Sequence, residues 1–140
     1  MEWFKSTLTI PTNRKGLYPF TQLAAEKIND WSIREGMCFL FLQHTSASLL
    51  IAENADASAK ADIETYFERL VPEAQPWMSH TLEGDDDSSS HIRSSMTSMD
   101  LSIPIENGRL ALGIWQGIYL FEHRSHRQQR NIILRCLKVE

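Results

Sequence analysis

The side chains in this sequence most able to do chemistry are five histidines, a run of three aspartates and a small set of arginines. His44 follows the apolar run Met37 to Leu42, so an imidazole, flanked by Gln43, Thr45 and Ser46, emerges where a strand buried on both faces ends. His80 and His91 bracket the acidic stretch from Glu83 to Asp87, and Glu122 closes another strand beside His123. If those ends converge, neutral imidazoles and a carboxylate suit zinc or another borderline cation, whereas Asp85, Asp86 and Asp87 suit a harder ion such as magnesium. No two histidines have a compact zinc-motif spacing, so position rather than pattern carries the metal argument. The plain alternative is a set of hydrogen-bonded histidines and a solvated acidic loop.

Covalent catalysis is disfavoured. Ser46 and Ser48 lack a glycine-flanked elbow, and Cys38 and Cys136 lie in apolar runs with no activating neighbour, which reads as two buried thiols. A phosphate site is easier to build. Arg93, Arg124, Arg127 and Arg130 supply forked donors, and Ser88 to Ser90 supply hydroxyls and helix-terminal amides.

These groups must be held by the elements around them. Trp3 to Ile10 alternates as a half-buried strand, and Thr21 opens a helix with Ala24, Ile28 and Trp31 on one face. Apolar residues return at Leu49 to Ile51 as a second strand after the central one. A second helix follows the period of Ala59, Ile63, Tyr66, Phe67 and Leu70, capped by Asp56 or Ser58 and stopped by Pro72. The long stretch from Pro72 to Ser90 has no period and reads as a functional loop, with a short helix capped by Ser90 after it. Leu101 to Ile105 and Leu110 to Gln116 pair across an Asn107-Gly108 hairpin turn, and strands follow at Ile118 to Glu122 and Ile132 to Val139. The fold class is α+β: one domain over residues 1–140, with a largely antiparallel sheet and two to three segregated helices.

Composition narrows the function classes. With 42% hydrophobic and 23% charged residues the chain is an ordinary soluble globule, without 18 consecutive apolar residues or a secretory pattern at Met1 to Lys5. A cytoplasmic protein without a membrane partner is expected. The net charge of −4 argues against nucleic acid, although the C-terminal third is basic, with Arg124, Arg127 and Arg130 close together.

Several segments, taken in order, resemble one family. His44-Thr45-Ser46-Ala47-Ser48-Leu49 and Glu53-Asn54 come first, followed by the run from His80 through Glu83-Gly84 and Asp86-Asp87 to His91-Ile92-Arg93-Ser94-Ser95-Met96. Leu101 to Ile105 with Gly108-Arg109 follow, then Gly113, Trp115-Gln116-Gly117-Ile118 and Glu122-His123-Arg124. Together they are similar to the YjbQ family, whose members are often described as secondary thiamine-phosphate synthases. The resemblance implies a compact α+β sandwich, a homotrimer, and a weak transferase joining hydroxymethylpyrimidine diphosphate to thiazole phosphate. It implies a phosphorylated small-molecule substrate and a divalent metal ion, zinc or magnesium. Carried over by position, His44, His80, His91, Asp86 and Asp87 are candidate metal ligands, and His91 and Glu122 are candidate catalytic groups. Asn54, Arg93, Gln116 and Arg124 are candidate substrate contacts. The chain departs from its relatives at Ser88 to Ser90 and from His126 to Asn131. A non-catalytic metal- or small-ligand-binding protein is the alternative.

Overall fold

Alternation sets the first strand. In β1 (Glu2–Thr12) Leu8, Ile10 and Thr12 are buried while Trp3, Lys5, Thr7 and Thr9 face outward, the period of two that a one-sided strand requires. The computed structural model describes residues 1–140. After β1 come β2 (Gly16–Pro19), α1 (Thr21–Asp30), β3 (Gly36–Leu42), β4 (Ala47–Glu53), α2 (Ala57–Leu70), α3 (Asp87–Met96), β5 (Asp100–Glu106), β6 (Arg109–Leu110), β7 (Gln116–Glu122) and β8 (Gln128–Lys138). They form two sheets, one ordered β1-β8-β3-β5-β6 and the other β2-β7-β4, and all the strand pairs are antiparallel. The fold is α+β, as expected.

The layers follow from which faces are apolar. One core of 18 buried residues joins the inner faces of both sheets and takes in Ala24 and Ile28 of α1. The other face of the small sheet carries Leu17, Tyr119 and Phe121, which pack against Ile63 and Phe67 of α2, with the Phe67 and Phe121 rings edge-on at 5.2 Å. The helices pack mainly on β2, β4, β6 and β7. The outer face of the large sheet therefore stays bare, and Trp3 and Phe41 are 52% and 49% exposed there. This corrects one expectation. β3 is buried on one face only, because its odd-numbered residues, Phe39 and Phe41 among them, point away from the core.

Three local expectations also change. Thr21 does not cap α1; its hydroxyl accepts the Ile118 N–H at 2.8 Å and ties the helix to β7. The Asn107-Gly108 turn has φ of 52° and 79°, the two positive values a type I′ hairpin needs. The returning strand, however, is only Arg109–Leu110. The chain then turns from Gly113 to Gln116, whose backbone and side chain close a reciprocal pair of hydrogen bonds. Finally, α3 starts at Asp87, before the predicted Ser90 cap, and the Ser90 hydroxyl donates to the Asp87 carbonyl inside the helix.

The two thiols behave as expected. Cys38 and Cys136 face each other across β3 and β8, and both are free and buried. No helix is long and apolar enough to cross a membrane.

Candidate metal centre

Helix α3 begins earlier than its serine-rich sequence suggests, and this places Asp87 and His91 four residues apart on one helical face. The chain reaches α3 through a turn at Gly84, whose φ of 108° an L side chain rarely adopts. The preceding loop brings His80 alongside. His80 Nε2 lies 2.7 Å and His91 Nε2 lies 3.1 Å from the same Asp87 oxygen, Oδ2, and the three potential ligand atoms all fall within 4.8 Å of one another.

The chemistry of this trio is decided at His91. Its Nδ1 is 2.9 Å from the Thr45 carbonyl, which can only accept, so Nδ1 carries the hydrogen. The lone pair of a neutral ring then sits on Nε2, pointed at a carboxylate oxygen. Two lone pairs in contact repel, so a cation belongs between them, either a proton on Nε2 or a metal ion. Two imidazole nitrogens and one carboxylate are a donor set for zinc or a similar borderline ion, with positions left open for a further ligand. An ion with bonds of about 2.0–2.1 Å spaces tetrahedral ligand atoms by about 3.3 Å, so a small outward shift of the rings would admit it.

Asp87 is prepared for this role. It is 1% exposed, and Arg124 Nη1 donates to its other oxygen, Oδ1, at 2.5 Å. Burial pushes the Asp87 carboxyl up, but the His80 hydrogen bond and the charges of His91 and Arg124 outweigh burial and hold it below the usual carboxylate range. Arg124 also donates through Nε to Asp86 and through Nη2 to the Glu83 carbonyl. It is thus an orienting partner of a ligand rather than a free anion donor, a correction to its expected substrate role. Arg124→Ala should weaken cation binding by about 10–100-fold, the usual cost of losing an outer partner of a ligand. Isothermal titration with zinc would measure it, and an unchanged affinity would remove Arg124 from the site.

Other predicted residues are placed elsewhere. Asp86 accepts from the Ser125 amide and hydroxyl at 2.8 and 3.0 Å and from Arg124, so the aspartate run does not gather into a magnesium site. His44 stands apart from the trio. Its Nε2 accepts from the Asn131 amide at 3.3 Å, and Nδ1 faces Arg130 Nη1 at 3.4 Å, so neither nitrogen is open to a cation. Burial, then the Arg130 charge, lower its pKa and keep it neutral. Arg93 is 2% exposed and clamps α3 to the end of α2, donating to the Val71 carbonyl at 2.8 Å and to Glu68 at 3.3 Å. It does not contact the trio.

Glu122, expected as a catalytic group, is engaged on every side within the protein. It is fully buried, and its oxygens accept from the Thr12 hydroxyl, the His123 and Arg124 amides, and Arg130 Nε and Nη2 at 2.8 and 2.5 Å. Arg130 is consumed in the same pair, so with Arg124 held by Asp86 and Asp87 the predicted basic patch loses two of its three members. Asn54 and Gln116 touch each other, Asn54 Nδ2 donating to the Gln116 carbonyl at 3.3 Å. They sit at the far end of the β4–β7 pair. Ala47 opposes Glu122 and Glu53 opposes Gln116, and six residues of strand amount to about 20 Å.

Near the other face of β7, His123 is fully buried, with Nε2 2.9 Å from the Ser48 hydroxyl and Nδ1 unpartnered. Burial first, then Arg93, Arg130 and Lys15, push its pKa down to about 3. An unfolded histidine takes a proton near pH 6.5. Between about pH 6.5 and 3 the unfolded chain thus binds a proton that the folded chain refuses, so stability falls with pH through that window and is flat above it. His44 acts in the same direction. Urea titrations at pH 8, 7, 6 and 5 should show this loss, and His123→Gln should make the slope shallower; an identical slope in the variant would refute the assignment.

Fold and centre together define an α+β sandwich that gathers two histidines and one aspartate at a helix start. Solved relatives share the fold. The sequence model described as UPF0047 protein YjbQ-like matches residues 6–139, and the chain belongs to this family. It is 43% identical over 127 residues to a UPF0047 protein of Synechocystis, covering 91% of this chain and 86% of that one. It is 41% identical over 132 residues to YjbQ of Escherichia coli O157:H7, covering 94% and 95%. A conserved hypothetical protein of Thermus thermophilus superposes with a TM-score of 0.85 at 31% identity, over 94% of this chain and 99% of that one. A hypothetical protein of Aeropyrum pernix, at 24% identity and a TM-score of 0.87 over 99% and 100% of the chains, shares the fold.

Proposed function

We propose that this protein binds a zinc-like divalent cation through His80, Asp87 and His91 and uses it on a phosphorylated small molecule, as a weak thiamine-phosphate synthase-like transferase would. The observation that carries the reading is the convergence of His80 Nε2 and His91 Nε2 on one Asp87 oxygen, with His91 Nδ1 held by the Thr45 carbonyl. When bound, the cation would supply positive charge to a leaving diphosphate. The chain's own part is to hold that charge in place: α3 fixes two ligands, His80 closes from the loop, and Arg124 keeps Asp87 ionised and oriented.

A second reading, a metal- or ligand-binding protein without catalysis, is favoured by one observation. Glu122, Arg93 and Arg124 are all engaged within the protein, and the carboxylate that does stand beside the trio is that of the exposed Glu83, 3.9 Å from His80 Nε2. Purified protein incubated with hydroxymethylpyrimidine diphosphate, thiazole phosphate and zinc or magnesium separates the two. Product that disappears in His91→Ala supports the transferase. Cation binding without product supports the binding protein, and equal product from both proteins moves the chemistry away from this centre.

Assembly as a homotrimer, the family expectation, belongs to the same reading. What supports an oligomer is the bare outer face of the large sheet, where Trp3 is half exposed. Light scattering should give three times the 16.1 kDa chain mass; a monomer would refute it. We place the protein in the cytoplasm, where the unbridged Cys38 and Cys136 thiols persist.

A further inference from the structure

His91 borders more than the cation site. It stands at the edge of an open groove of about 850 Å³, in the size range of small-molecule sites. Phe41, Leu42 and Met99 give the groove an apolar wall, and the hydroxyl-bearing Thr45, Ser46 and Ser94 line the rest. No carboxylate, ammonium or guanidinium lines it. The nearest guanidinium, that of Arg130, lies behind Ser46 and His44 and is paired with Glu122.

From this charge inventory we infer that the groove receives the uncharged, ring-sized part of a ligand whose anionic group is held by the cation. The inference rests on the metal reading above. A charged substituent moved from water into the groove would lose hydration without meeting a counter-charge, which is costly. A neutral ring loses little, gains the apolar wall, and finds hydroxyls for its polar edge. The neutral state of His44 keeps even the one titratable groove residue outside the trio from offering charge. Anion recognition thus falls to the cation alone, and ligand selectivity to the groove.

The test is calorimetric and needs no turnover. Zinc is titrated first, then zinc-loaded protein is titrated with methylphosphonate, benzylphosphonate, and benzylphosphonates bearing a ring carboxylate or a ring aminomethyl group. Benzylphosphonate should bind about tenfold more tightly than methylphosphonate, a modest return for burying one ring, and both charged rings should lose that gain. Ser95→Trp, which fills the groove from α3, should erase the gain while zinc still binds. Phe41→Ala should reduce it at least threefold and serves if the first variant does not fold. Zinc binding with no gain from the neutral ring, or with equal gain from the charged rings, overturns this inference and leaves the metal reading standing. No zinc binding at all overturns both.

Discussion

Asp87→Asn should abolish cation binding. The substitution keeps the shape of the side chain and removes the charge that both imidazoles converge on. The expected result is a fall from about one zinc per chain to a trace, with affinity lowered beyond the 10–100-fold that an outer-shell change costs. The cause is twofold. An amide oxygen is a weaker donor than a carboxylate, and the Asn NH₂ group, drawn toward either imidazole, would compete for the place of the ion. Arg124, which donates to Asp87 and Asp86, would then face one carboxylate instead of two. Elemental analysis after purification without chelators, with a zinc titration of the stripped protein, measures the effect. Equal zinc content in wild type and variant would show that any bound zinc sits elsewhere and that the trio is an ordinary hydrogen-bonded cluster.

The largest loss of stability should come from Glu122→Ala. The carboxylate is fully buried and paired with an Arg130 side chain that is itself 4% exposed. Removing one partner strands the other charge in the interior, which costs about 3–5 kcal/mol. In a chain of this size that lowers Tm by on the order of 10 °C. The loss is greater than one ion pair suggests, because Thr12 on β1 and the amides of His123 and Arg124 lose their acceptor too. Replacing both members with apolar residues, Glu122→Leu with Arg130→Met, should recover much of the stability, since a matched apolar pair avoids the desolvation that the ions incur. Urea denaturation at pH 7 distinguishes the cases. A loss under about 1 kcal/mol for Glu122→Ala, the scale of an exposed pair, would mean that water reaches Arg130.

Much of the scaffold was legible because periodicity reports one-sided burial. Ala24 and Ile28, the Asn107-Gly108 turn and the strands at Ile118 and Ile132 all follow local rules that the tertiary structure keeps. The site was legible in part. His80, His91 and Asp87 stand together among the candidate ligands, but the helical spacing that joins two of them is hidden, because Asp87-Ser88-Ser89-Ser90 has the composition of a turn. Started at Asp87, the helix would have exposed an Asp-x-x-x-His pair at i, i+4, the signal that was present and missed. The internal partners of Glu122, Arg93 and Arg124 are hidden from the sequence for a different reason. A charged residue at a strand or helix end reads as available, and only the fold reveals that Arg130, the Val71 carbonyl and Asp87 have already claimed them.

The β4–β7 ladder has one further consequence. Asn54 and Gln116 close one end, while the strand ends beside the trio form the other. A single polypeptide cannot bend this rigid pair back on itself, so any reaction that needs both ends must borrow one from a neighbouring molecule. Mixing chains crippled at Asp87 with chains crippled at Gln116 would then rescue activity by complementation, and silence from the mixture would assign the two ends to separate tasks.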